Sequence, residues 1–212
     1  MALTGSTGFR TANTGAALVV NVPGTRANSG RVRFRGIEKE VRWSSTIPSQ
    51  YFPSPPPGYT ITGGHAQVSI TFTCNGPNGA SGWVEVIAAG GSNRTHFSLG
   101  PYGSQRVSVG TSCYGYGDIG WGYGWTSGDS FSESNITYSA TTYARGIEPS
   151  KSLKITVGGQ DVAGPSSLAN GIISDWYDIP GGLLTGGDNN VLVTVSGSKT
   201  VDVEIEYTYE PY

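Results

Sequence analysis

The chain has 212 residues with 33 Gly, 13 Lys or Arg and 15 Asp or Glu, for a net charge of −2. That length suits one large all-β domain or two small ones, and a charged share of 13%, about half the usual one, argues against a helical protein or a typical cytosolic enzyme. Disorder is excluded as well, because 5 Trp, 12 Tyr and 6 Phe with many Val, Ile and Thr can bury a core.

Apolar and polar residues alternate with period two along most of the chain, and no stretch repeats apolar residues at helical spacing. The start, MALTGSTGFRTANTG, has no basic segment leading into an apolar run, and no stretch approaches eighteen apolar residues, so neither a secretory leader nor membrane insertion is expected. Residues 1–46 read as a basic N-terminal arm with strands at 17–22, 31–37 and 40–44. Up to residue 42, seven basic residues stand against Glu38 and Glu40, a local charge of +5 that leaves −7 for the remainder. Arg31, Arg33 and Arg35 alternate along one strand, either as an assembly arm that docks on an acidic surface of a neighbouring subunit or as a solvent face.

Residues 47–64, with five prolines between 48 and 57, read as a stiff connector. A β-sandwich domain is expected over 65–212, with strands at 66–74, 83–88, 95–99, 105–109, 136–143, 152–157, 174–179, 191–195 and 200–207. The separators NGPNG (75–79), GGSN (90–93), GG (158–159) and SGSK (196–199) carry turn chemistry. Short strands with Gly-rich turns predict an all-β sandwich or jelly roll. In the last strand Val201, Val203, Ile205, Tyr207 and Tyr209 share one face. Asp202, Glu204 and Glu206 form an acidic ridge on the other, facing water or a neighbouring chain's arginines. Cys74 and Cys113, both at or near strand ends, are a candidate disulfide.

The run SLKITVGGQDVAG followed by DWYDIPGGLLTGGDNNVLVTVSG resembles the galactose-binding-like β-sandwich domains appended to many glycoside hydrolases. Tyr177, Asp178, Ile179, Leu183, Leu184, Gly187, Asn190, Leu192 and Val195 occupy comparable places. The resemblance covers about 150–210 and implies a sandwich in which Tyr177 and Ile179 pack inward while Gly187 and Asn190 make the turn. More loosely, the whole chain looks like bacteriophage virion appendage or decoration proteins. That likeness implies a virion protein assembled in the host cytoplasm, forming a homo-oligomer with itself and contacts with other virion proteins.

CYGYGDIGWGYGWTSGDSF, residues 113–131, holds six aromatics and six glycines. It reads as a long loop between strands ending near 109 and beginning near 136. No basic residue occurs from Ser112 to Ala144, which argues against nucleic acid. Tyr114, Tyr116, Trp121, Tyr123 and Trp125 can stack on pyranose rings with Asp118 and Asp129 as polar partners, can cover another subunit, or can serve as core. His65 and His96 lie in no metal-ligand spacing, Asp118 and Asp129 lie in no calcium-loop spacing, and neither a nucleophile elbow nor a Walker loop is present. Glu85, Asp118, Asp129, Glu133, Asp175 and Asp178 are carboxylates near aromatics, but none forms an evident acid–base pair. The expected function is therefore a non-enzymatic structural protein of a virus particle, a capsid decoration, tail or fibre component without cofactor or metal, assembling through its arm and aromatic loop. The alternative is a carbohydrate-binding module or lectin for a cell-surface glycan.

Overall fold

In the computed structural model, which describes residues 1–211, every regular element is a strand. The first four are β1 (Leu3–Ser6), β2 (Arg10–Asn13), β3 (Ala17–Gly36) and β4 (Lys39–Ile47). Next come β5 (Thr60–Cys74), β6 (Ala80–Ala88), β7 (Gly91–Leu99), β8 (Ser104–Cys113), β9 (Gly120–Gly128) and β10 (Phe131–Glu148). The last are β11 (Ser150–Val157), β12 (Gln160–Ala163), β13 (Ser167–Leu168), β14 (Tyr177–Ile179), β15 (Thr185–Gly197) and β16 (Thr200–Tyr209). The sheets are antiparallel and the build is an all-β sandwich of the jelly-roll kind, as the alternation predicts.

Two compact units form: Met1–Val41 with Ile147–Tyr212, and Arg42–Gly146. The expected boundaries at 46 and 64 are thereby replaced. Residues 1–41 are no separate arm, because β1, β2 and β3 all pair with β16.

In the first unit the sheet runs β1-β16-β3-β15-β11-β12, with β2 on β16, β14 on β3 and β13 on β11. Residues 17–22 of β3 face 187–192 of β15, whereas residues 27–36 face 201–209 of β16. Pro23 and Gly24 lie at a register shift of the β3–β15 ladder, just before the partner changes between residues 26 and 27, as at a sandwich corner. Gly24 has φ 128°, and a Cβ there would come within 2.6 Å of the Glu210 carbonyl oxygen. Both halves of β3 feed one core, Val20 and Val22 from the first and Val32 and Phe34 from the second, joined by Ile155, Val193, Val203 and Ile205.

On the opposite face of the β3–β16 pair the arginines meet the acidic ridge of their own chain. Arg31 pairs with Glu206, Arg33 with Glu204 and Arg35 with Asp202, each donating from Nε and Nη2 to one carboxylate oxygen at 2.6–2.9 Å. The remaining oxygens of Glu204 and Asp202 accept from Ser6 Oγ and Thr11 Oγ1 at 2.9 and 2.6 Å. The expected docking of these arginines on a neighbouring subunit is thus corrected: antiparallel register sets each opposite an acid within the same sheet.

Tyr177 and Ile179 do pack inward, and Gly187 has φ 83°. Asn190, however, is an exposed strand residue opposite Val19, and its neighbour Asn189 closes the bend. The buried Asn189 amide oxygen accepts from Thr185 N at 2.8 Å, and its nitrogen donates to the carbonyls of Thr185, Gly187 and Val20 at 2.7, 3.1 and 3.2 Å.

The second unit has a β4-β10-β5-β8 sheet and a β7-β6-β9 sheet. β5 alternates cleanly: Ala66, Val68, Ile70, Phe72 and Cys74 are buried, and together with Val84, Val86, Phe97, Val107 and Val109 they make the core. The proline-rich segment belongs to this unit and does not separate two bodies. Gln50 O accepts from Ile119 N at 2.8 Å, Tyr51 bridges to Asp118, and Phe52 packs on the core. Cys74 and Cys113 are buried free thiols. Cys113 lies opposite Gly64, at the other end of β5 from Cys74, roughly 30 Å away at about 3.3 Å per residue and far beyond disulfide reach.

Replacing Asn189 by Ala leaves several inward-facing backbone groups without partners, so Asn189→Ala is expected to cost about 2–4 kcal/mol. Asn190→Ala should cost under about 0.5 kcal/mol. Urea unfolding monitored on both variants checks the contrast.

Candidate functional site

Most of the glycine–aromatic stretch is a strand, which corrects the expected long loop. β8 runs on to Cys113, β10 starts at Phe131, and β9 between them pairs with β6. The cause is again period two: Trp121, Tyr123 and Trp125 point one way while Gly122 and Gly124 point the other. Trp121 stands opposite Val86, Tyr123 opposite Val84 and Trp125 opposite Gly82. The aromatic face is therefore the face of the buried valines.

The glycine face has its own use. The Trp83 indole lies across Gly124, where a Cβ would come within 2.5 Å of the ring. Arg94 sits 3.7 Å from the centroid of that indole and donates to Glu85 at 2.9 Å. Nothing lies within 4 Å of a Cβ at Gly122.

Along β9 the aromatic face passes from core to solvent. Trp121 packs against the core and donates from Nε1 to Tyr138 Oη at 3.0 Å. Tyr123 stacks on Trp121 with centroids 5.7 Å apart and planes 15° apart, and its hydroxyl donates to Glu133 Oε2 at 2.9 Å. Trp125, 59% exposed, donates from Nε1 to the Asp129 carbonyl at 3.1 Å. The buried Phe72 and Phe97 stack at 4.3 Å, and Phe131 meets both edge-on. Tyr123 tilts against Phe72 and Phe131, so the outer rings rest on the core. Its bond to Glu133, reinforced by burial, holds the Tyr123 phenol above its usual range. It therefore remains a protonated donor at neutral pH.

Tyr123, Trp125, Gly128, Ser130 and Phe131 line an open cavity of about 430 Å³, within the span of about 300–1,000 Å³ common for ligand sites. The seven residues expected to act together are in fact distributed. Tyr123 and Trp125 are at the cavity, and Trp121 is mainly a core cover. Tyr114 and Tyr116 stack on each other at 5.9 Å as a separate exposed pair. Asp118 is engaged in its backbone by Tyr51. The Asp129 carboxylate accepts from Asn78 N at 2.7 Å and Nδ2 at 3.3 Å, closing the 75–79 turn. Sequence reasoning did not assign Phe131, Ser130 and Glu133 to this site, although the W-G-Y-G-W alternation is a strand signal that leads to it. Among the described residues no three His, Cys, Asp or Glu side chains gather as metal ligands would.

Gly124→Ala must displace the Trp83 indole and is expected to destabilise by about 1–3 kcal/mol, whereas Gly122→Ala should be tolerated. Thermal unfolding followed by tryptophan fluorescence compares the two.

No protein-family model matches the sequence, so the galactose-binding-like resemblance has no family behind it, and no curated protein matches either. Among solved structures the chain is similar to a structure of infectious bursal disease virus, Gx strain, at 10% identity and a TM-score of 0.15. The alignment covers 94% of this chain and 43% of the viral chain, so this chain spans less than half the length of the protein it matches.

Proposed function

We propose that the chain is a non-enzymatic recognition protein of a virus particle that binds a cell-surface glycan in the cavity at Tyr123, Trp125 and Phe131. The cavity carries this reading. Flat aromatic faces stack on the C–H faces of pyranose rings, and the two outer rings are held in place before any ligand arrives. Tyr123 is pinned by Glu133 and Trp125 by the Asp129 carbonyl, which lowers the ordering cost of binding. Both acids nearby already have partners, Glu133 in Tyr123 and Asp129 in Asn78, which favours recognition over acid–base hydrolysis. The virion setting is supported by the Gly-, Ser- and Thr-rich, charge-poor, all-β character of the chain. Anchoring through Arg31, Arg33 and Arg35 is not retained, since their own sheet occupies them.

A second reading, self-assembly, is favoured by the exposed tyrosines of the same unit. Tyr51, Tyr114 and Tyr116 are 55%, 58% and 54% exposed, and tyrosine is enriched where proteins meet.

On a glycan array Trp125→Ala should weaken binding at least about tenfold, as loss of a buried stacking contact does, while Tyr114→Ala leaves it unchanged. Undiminished binding by a folded Trp125→Ala protein contradicts the glycan site. For assembly, light scattering should give a multiple of the chain mass that falls to the monomer in Tyr114→Ser/Tyr116→Ser. A monomeric parent protein rules assembly out.

A further inference from the structure

We infer that the cavity selects glycans that carry no anionic group, an inference that rests on the glycan reading above. The lining residues Tyr123, Trp125, Gly128, Ser130 and Phe131 bring no positive charge. The acids beside them are Asp129, whose carboxylate is taken up by Asn78, and Glu133, which shares the Phe131 and Phe72 face of the β10–β5 pair. One of the Glu133 oxygens accepts from Tyr123. The other, without a partner among the described residues, is placed to accept a sugar hydroxyl.

Among the cations and histidines of this unit, Arg42 lies on the edge strand β4, whose Thr46 bonds Thr141 of β10, well along that strand from Phe131, and the others are turned elsewhere. Arg94 is on the glycine side of β6, held by Glu85 and Trp83. His96 stands opposite Trp83 on that same side. Arg106 is opposite Thr71, on the face of β5 away from Phe72, and donates to Asn135 O at 3.0 Å and Thr137 Oγ1 at 2.6 Å. His65 is opposite Ser112 on that outward face. Arg145 is opposite Thr60, at the end of β5 far from Phe131. A sialic acid carboxylate or a sulfate in the cavity would thus meet Glu133 with no guanidinium to offset it. At about 6 Å and an effective dielectric between those of a protein surface and water, that repulsion corresponds to roughly tenfold in affinity.

The experiment titrates the full chain with neutral hexose and N-acetylhexosamine oligosaccharides and with the same oligosaccharides capped by sialic acid or sulfate. Neutral members should bind at least tenfold more tightly than their capped counterparts, and Glu133→Gln should narrow the gap to under threefold. Equal or tighter binding of the capped forms overturns the inference while leaving the glycan site standing. A gap that Glu133→Gln does not change removes Glu133 as its cause and overturns the inference too. Absence of binding to either set, in a protein whose circular dichroism shows it folded, defeats the glycan reading itself.

Discussion

The antiparallel register of β3 against β16 decides the inside and the outside of the first unit at once. Because side chains alternate along a strand, setting Phe34 opposite Val203 and Val32 opposite Ile205 in the core necessarily turns Arg33 toward Glu204 on the other face. A slip of one residue would bury the charges and expose the core. The ladder adds a second penalty, because each guanidinium has a carboxylate at one rung. Phe9 and Trp176 cover the guanidiniums, with Arg33 5.2 Å from the centroid of the first and 4.4 Å from that of the second. One such surface pair contributes only about 0–1 kcal/mol, so the ladder acts chiefly by making alternative registers worse.

In the second unit the corresponding constraint is an aromatic stack that begins in the core and ends in water. Phe72 and Phe97 are buried, Phe131 and Trp121 partly so, and Tyr123 and Trp125 reach solvent. Each ring rests on one less exposed than itself or is held by a hydrogen bond. The outermost rings are therefore ordered without being covered. The glycines of β9 make this possible from the other side, since Gly124 leaves room for the Trp83 indole and Trp83 in turn carries Arg94.

Much of the strand pattern was legible in the chain because burial on one face writes itself as period two. The run 66–74 is an example, with every second residue buried. β9 was harder to read. Glycine is depleted in strands and signals turns, so six glycines among six aromatics imitate a loop, although Trp121, Gly122, Tyr123, Gly124 and Trp125 alternate as faithfully as any strand here. The candidate site was legible only in its residue types. That Asp129 would be taken by Asn78 of a distant turn, and that Phe131 and Glu133 of β10 would come up beside Tyr123 of β9, depends on contacts between different elements.

The sequence by itself determined which side chains share a face, because strand stereochemistry is local: Arg31, Arg33 and Arg35 lie together, as do Asp202, Glu204 and Glu206. Only the tertiary structure decided that these two faces meet in one chain. Arg33 and Glu204 are 171 residues apart, and no local rule selects a partner at that distance. The choice falls to the core beneath, where Val32, Phe34, Val203 and Ile205 exclude water together and carry their outward neighbours into register.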